Sequence, residues 1–518
     1  MTPDPSCGDA ADREQRNMAS RGFTACHVRR GRVRRGRGPP SLVETDRERN
    51  RSGQTTQPAG GTVTQQIHPV QQIHALQQIH HVPRSQQDPQ GTLAREGRAA
   101  AAVAHTATET RTVPVYEELA GRFRPIFDRI AEGASLRERN HVLPDAQIRE
   151  LAQAGFGALR VPAGDGGFGA TLPQLFALLT ELAAADSNIA QALRGHFAFV
   201  EDRLVAAPGP ERDRWLERFV RGELVGNSWT EVGAVKIGEV ATKVVPAPEL
   251  GAGRFRINGT KYYSTGSIYA DWLDTYAERT DTGARVIAAV SAHQPGVTHH
   301  DNWDGFGQRT TGSGTSTFVD AVVEGENLID FDTRFKYQTA FYQAVLLTVL
   351  AGSVRAAQRE FSGEVRTRTR TFSHAAAPLW REDPQILQVV GELAAAGFAG
   401  EAVVERVATA LQGAYEGALA LRAGSIGPTE EERLNDLAEL ASAEGQVALT
   451  PLAVDALSHA FDALAASATS VEKNLDRHWR NARTAGNHNP WVYKARLVGD
   501  RSVNGTELPR VWAIGASR

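Results

Sequence analysis

Arg477 to Tyr493 reads RHWRNARTAGNHNPWVY. Arg477, Arg480 and Arg483 recur at helical spacing and set three guanidiniums along one helix face. The pattern breaks at Gly486 and Asn487, presents His488 and stops at Pro490. The dipole at a helix C-terminus favours a proton on imidazole, so His488 is expected to titrate near neutrality at the mouth of a pocket. The chemistry such a group offers is proton donation and acceptance. A solvated basic stripe followed by an ordinary turn is the plainer reading of the same residues.

The elements that position this stretch come from a chain of 518 residues, enough for two to four domains with sizeable cores. The net charge of −3 hides a split. Residues 1–112 carry 16 Arg, no Lys and 10 acids, while the remainder carries 41 basic and 50 acidic residues. An acidic body argues against nucleic acid as the main ligand. Both cysteines, Cys7 and Cys26, precede the body, which excludes a disulfide, a thiolate metal site and a catalytic Cys from it. No metal ligand set is expected. A reducing cytoplasm fits this cysteine usage. The longest apolar run, near Ala344–Val354, is too short to span a membrane, and the N-terminus lacks a signal-peptide core.

Residues 1–112 have a single aromatic residue, Phe23, an Arg/Gly run (VRRGRVRRGRGPP) and three QQIH repeats with His68, His74 and His80. They are expected to be a disordered, dispensable Arg/Gln-rich extension. From Val113 the spacing of Leu119, Phe123, Ile126, Phe127 and Ile130 gives a helix through Ala134, and Pro144 opens a second to about Ala154. GFGALRVPAGDGGFGA lacks a P-loop ending and reads as a tight connection. Leu172–Ala185 and Ser187–Val205 read as further helices, the second carrying His196. From Leu224 to Asp332, short runs rich in Val, Ile, Tyr and Thr alternate with turn clusters, which reads as a compact antiparallel β-domain, barrel or sandwich. Phe335–Phe372, Pro384–Leu421 and Thr429–Arg483 read as long Ala-rich helices of a bundle with an apolar face left to bury in an oligomer. The expected fold is therefore mainly α with a central β-domain: residues 1–112 extension, 113–223 N-terminal helical domain, 224–332 β-domain and 333–518 C-terminal four-helix bundle.

This order, together with Leu151–Asn188, NGTKYYSTG (Asn258–Gly266), FGQRTTGSGTSTFVDAVVEGENLI (Phe306–Ile329) and RNAR (Arg480–Arg483), resembles the acyl-CoA dehydrogenase superfamily from Val113 to the end. Many of those dehydrogenases carry their carboxylate base in a Tyr-Glu-Gly-Thr stretch after the Arg motif. Here Gly486–Trp491 (GNHNPW) stands in that place, and the Tyr-Glu-Gly at Tyr415–Gly417 lies on a different helix. RHWRNART with its H-x-P ending, YSTGSIYADW and WDGFGQRTTGSGT resemble instead the flavin-dependent monooxygenase branch, the dibenzothiophene monooxygenase and sulfur-acquisition type.

That resemblance implies reduced FMN supplied by a flavin reductase, a C4a-hydroperoxyflavin formed with O2, and oxygen transfer to sulfur or nitrogen of a small organosulfur or amine substrate. It implies His488, His196 and Thr265 as catalytic residues. Asn227, Trp229, Thr230, Tyr263, Ser264, Thr265 and His488 would flank the isoalloxazine ring. Arg370 would reach the flavin phosphate, often across a subunit boundary, with Ser467 near the same end. Val200 stands where dibenzothiophene monooxygenase carries a Tyr. A homotetramer in the cytoplasm, without membrane or nucleic acid, is the expected assembly. The alternatives are an FAD-dependent acyl-CoA dehydrogenase with a displaced base, and a non-enzymatic helical scaffold using the Arg-rich arm to bind nucleic acid.

Overall fold

The computed structural model describes residues 113–231 and 239–510, so the expectation for residues 1–112 lies outside the described residues. The chain is mainly helical with a central sheet. Six helices come first: α1 (Tyr116–Asn140), α2 (Asp145–Gln153), α3 (Leu172–Ala185), α4 (Ser187–Ala192), α5 (Arg194–Val205) and α6 (Pro210–Val220). Helix α1 runs past the expected Ala134 and stops where His141 turns left-handed, at φ 53°. Thr171 and Gln174 form a reciprocal capping box at the start of α3.

The expected helix Ser187–Val205 is broken at Leu193 into α4 and α5. The turn at Gly266, with φ 77°, presses against this break, and a Cβ there would lie 2.0 Å from the Ala192 carbonyl oxygen. Two residues past the break, Gly195 lies so close to Asn227 that an added Cβ would sit 2.7 Å from the Asn227 Cβ. Only glycine tolerates this approach, which sets the start of α5 directly against the sheet.

Eight strands follow: β1 (Val225–Ser228), β2 (Lys243–Pro246), β3 (Arg254–Tyr262), β4 (Trp272–Arg279), β5 (Arg285–Ser291), β6 (Val297–His300), β7 (Thr315–Glu324) and β8 (Leu328–Asp330). Their order is β6-β7-β3-β2-β4-β5-β8, with β1 on β4. The sheet is mixed, which corrects the antiparallel expectation: β1 and β2 both pair parallel with β4. The parallel β1–β4 pairing lays Asn227 beside Asp274. The sheet has its own apolar core around Val244, Ile257, Leu273, Val290 and Phe318.

The C-terminal helices are α7 (Gln338–Thr367), α8 (Pro384–Arg422), α9 (Pro428–His459), α10 (Arg477–Gly486) and α11 (Trp491–Asn504). Helices α7, α8 and α9 pack on one another, and α10 lies against α7 and α9. The expected single helix Thr429–Arg483 is interrupted after His459 by two short 3-10 turns, and Asn474, with φ 52°, precedes α10. Helices α7 and α8 are each long and apolar enough to cross a membrane by length and composition, contrary to the sequence reading. The most apolar stretch of α7 is 89% buried in the protein, that of α8 only 22%. Facing outward on α8 at helical spacing are Leu387, Gly391, Ala395, Phe398 and Ala402.

Candidate active site

Helix α10 is locked in place by two of its three arginines. Arg477 pairs with Glu360 of α7, and Arg480 reaches Glu138 of α1 at 3.3 Å, Asp476 at 2.8 Å and the Phe306 carbonyl at 2.9 Å. These guanidiniums therefore tie α10 to the other elements, and the basic stripe is structural. The helix ends at Gly486, where a Cβ would lie 2.7 Å from Thr450 Cγ2 of α9. Asn489 pins the following turn from two sides: its carbonyl accepts from Gln446 Nε2 at 2.7 Å and its amide donates to Gln343 Oε1 at 3.0 Å.

Between these anchors stands His488, whose side chain keeps an exposed surface while protein surrounds it on its other sides. That enclosure pushes its pKa down to about 3, and the nearby Arg194 guanidinium adds to the effect. The expected dipole-favoured imidazolium is corrected: desolvation and a like charge outweigh the helix end, and His488 is neutral at pH 7.

Arg194 opens α5 and is 6% exposed. Its guanidinium lies 5.0 Å from the centre of the Tyr342 ring on α7. It has no hydrogen bond or ion pair among the described residues, and its Nε is buried without a partner. Asn227 Nδ2 donates to the Tyr342 hydroxyl at 3.4 Å. Trp229 meets Tyr342 edge to face, with ring centres 5.9 Å apart. Its indole N–H donates to Asp274 at 2.8 Å, and Asp274 in turn binds Arg334 at 3.2 Å. Arg334 is fully enclosed between Asp274 and Asp202, the latter at 3.6 Å. This charged triad fixes the tilt of Trp229 from behind.

The segment 263–266 closes the sheet side. Tyr263 adopts φ 61°, a costly conformation for an aromatic residue, held because Ser264 N–H donates to Gly314 O at 2.9 Å and Gly266 N–H to Thr311 O at 3.1 Å. Thr265 presents its carbonyl to the Asn227 N–H at 3.4 Å and its hydroxyl to Ser313 at 2.8 Å, which continues to Thr311 at 2.6 Å. The Thr230 carbonyl accepts from Tyr262 N–H at 3.0 Å.

Asn227, Trp229, Thr230, Ser264 and Thr265 thus sit together, with Tyr342 and Arg194 beside them, and His488 lies near enough to Arg194 to feel its charge. Several of these side chains are engaged within the protein itself. The Thr265 hydroxyl is buried within its own hydroxyl chain, and the Ser264 hydroxyl turns back on the Lys261 carbonyl at 3.4 Å. The Tyr263 ring is exposed and packs on Tyr262 and Trp303. His196 is a core histidine: Nε2 donates to Gly157 O at 2.9 Å and Nδ1 accepts from Val225 N–H at 3.2 Å. Both ring nitrogens are engaged by backbone, and burial pushes its pKa down to about 4.

Arg370 and Ser467 are exposed and lie on two segments joined by the bond from Trp380 Nε1 to Ala463 O at 2.8 Å. Glu416, of the Tyr-Glu-Gly text, is exposed on α8 and accepts from Gln412 at 2.9 Å. A cleft of about 600 Å³, lined by Arg124, Glu181, Arg355 and Phe398, lies on the outer face between α1, α3, α7 and α8, away from the His488 group.

Arg194, Tyr342, Asp274 and Arg334 were not singled out from sequence. Nothing in the local text distinguishes them, and only burial without a partner, or pairing across elements, marks each one.

Two family models match the chain: acyl-CoA dehydrogenase, N-terminal domain, over residues 117–223, and acyl-CoA dehydrogenase, C-terminal domain, over residues 344–491. The chain is 28% identical over 397 residues to a probable FMNH2-dependent monooxygenase, SfnC, of Pseudomonas putida, covering 75% of this chain and 94% of that one. It is 26% identical over 392 residues to dibenzothiophene monooxygenase of Rhodococcus erythropolis, covering 71% of this chain and 89% of that one. The FMN-bound crystal structure of TdsC from Paenibacillus sp. A11-2 superposes with a TM-score of 0.67 at 27% identity, covering 76% of this chain and 98% of that one. The two family models, the fold and these relatives agree: the chain belongs to the acyl-CoA dehydrogenase superfamily, in its flavin-dependent monooxygenase branch.

Proposed function

We propose that this enzyme uses reduced FMN from a separate reductase, and O2, to oxygenate sulfur or nitrogen of a small organic substrate in the cytoplasm. The observation that carries the reading is the state of the carboxylates at the recess. Asp274 and Asp202, the acids that act on Tyr342, are both held by Arg334. Both carboxylates are already committed to the Arg334 guanidinium and sealed from solvent, so among the described residues the α-proton abstraction of a dehydrogenase finds no uncommitted acid beside Tyr342.

The residues fit a flavin. Trp229 and Tyr342 offer aromatic surface for an isoalloxazine ring, and Asn227 an amide for its polar edge. Bound reduced FMN supplies the electrons that activate dioxygen, so that one oxygen atom reaches the substrate and the other leaves as water. His488 serves as the hydrogen-bonding group at the substrate side, its ring exposed and oriented by the Asn489 side chain. Arg334 and Asp274 keep Trp229 in place.

Arg370 and Ser467, exposed on one protomer, serve the phosphate end of a neighbouring protomer's flavin. The outward stripe of α8, around Phe398, is covered by a partner copy in a homotetramer; Phe398 is 78% exposed in the single chain. The test is incubation with FMN, a flavin reductase and a panel of sulfides, sulfones and amines. Reductase-dependent oxygenated product supports the reading. Tight FAD bleached by an acyl-CoA, with no oxygenated product, overturns it.

A further inference from the structure

Arg194 stands apart from the other enclosed arginines among the described residues. Arg334 sits between two carboxylates, Arg160 on Glu201 at 3.1 Å, and Arg203 on Asp202 at 2.6 Å. Arg194 is enclosed to the same degree, yet no carboxylate reaches it. The Tyr342 phenol is the one group that favours its charged form. A guanidinium stays charged in a protein, and burying it without an anion is costly. Such a residue persists where a ligand supplies the missing charge.

A further donor points the same way. The Tyr342 hydroxyl accepts from Asn227, and its own proton has no acceptor among the described residues. Gly195 fixes the approach of α5, because only a residue without Cβ lets the helix come so close to Asn227. The set is a planar fork and a phenol, with no acid between them. This is the donor pattern for an oxyanion.

We infer that Arg194, with Tyr342, seats the anionic group of the substrate, so that the compound oxygenated is a small organic carboxylate, sulfinate or sulfonate. This rests on the monooxygenase reading and narrows it: neutral sulfides and amines lack the charge that Arg194 is missing.

The probes are methanesulfonate and its neutral analogue of similar size, dimethyl sulfone, titrated by calorimetry into the FMN-loaded full chain. Methanesulfonate is expected to bind at least about 10-fold more tightly than dimethyl sulfone. Arg194→Gln should weaken methanesulfonate by about 10- to 100-fold while changing FMN affinity by less than about 3-fold, and Arg194→Lys should keep part of the preference. Equal or undetectable binding of both probes overturns the inference. So does an Arg194→Gln protein that loses FMN as strongly as it loses the anion, because Arg194 then serves the flavin. If Arg194→Gln does not fold, the wild-type preference and Arg194→Lys decide. Anion indifference with FMN bound defeats this inference alone. Failure to bind FMN or couple to a reductase defeats the monooxygenase reading.

Discussion

Arg194 lies 5.0 Å from the centre of the Tyr342 ring, and no carboxylate completes the pair. The same recess wall holds Arg334, with a carboxylate on each side. One arginine is satisfied by the fold and one is left for something that enters. That contrast separates the residues that build the recess from those that face its contents.

Replacing His488 by Ala should leave the fold intact, because its side chain is exposed and bonds only to Asn489, which Gln446 and Gln343 still hold in place. Product formed per reduced FMN should fall by about 10²-fold if its N–H supports oxygen transfer, with the lost electrons appearing as hydrogen peroxide. Because the His488 pKa is held down to about 3, no ionisation of His488 should appear in the rate profile between pH 5 and 8. Stopped-flow and peroxide assays against pH check both statements. Unchanged coupling in His488→Ala reduces the residue to a turn.

Breaking the triad should cost more. Arg334→Met leaves Asp274 buried without a cation and Asp202 with Arg203 as its ion-pair partner, and removal of one partner from a buried pair costs about 3–5 kcal/mol. Trp229 loses its fixed backing through Asp274, so FMN affinity should fall with stability. Denaturant unfolding and FMN titration measure the two. A variant as stable as wild type means the triad is not holding the wall.

His196 should make the protein acid-sensitive. Its folded pKa is about 4, below the ordinary histidine value. The unfolded chain therefore takes up the proton first, and stability falls as the pH drops from about 6.5 towards 4, by about 3 kcal/mol if the full shift is expressed. Above pH 6.5 the contribution is constant. His196→Gln keeps a donor and an acceptor but does not titrate in this range, so its melting temperature should fall less than that of wild type between pH 7 and 4. Parallel curves would show that His196 is not the group responsible.

Assembly and phosphate binding should fail separately. Phe398→Glu puts a charge in the α8 stripe and should give smaller particles by light scattering. Arg370→Ala should preserve particle size and melting temperature while weakening FMN about 10-fold or more, since a charge-assisted contact to phosphate is lost. A monomeric wild type at micromolar concentration contradicts the shared-site account.

The parts legible in the sequence were those with local causes. The span of α3 follows from its apolar spacing and the Thr171–Gln174 capping box. The turn before His488 follows from Gly486, Asn487 and Pro490. The break at Leu193 has no Gly or Pro to mark it, because the Gly266 turn imposes it from another element. Strand β1 is four buried residues, Val-Gly-Asn-Ser, with no alternation to read. His196 drew attention by residue type, whereas its neighbour Arg194 is the side chain left unpaired. Type is visible in a sequence; which side chain lacks a partner depends on contacts made across the fold.

The central claim is oxygen transfer with electrons from reduced FMN. The direct measurement is turnover under oxygen-18 gas with FMN, a reductase and a small organosulfur or amine substrate, followed by mass spectrometry of the product. The account predicts one labelled oxygen atom in each product molecule, strictly dependent on the reductase. Oxygen consumed only to hydrogen peroxide across the substrate panel, or an acyl-CoA oxidised without label, would contradict it.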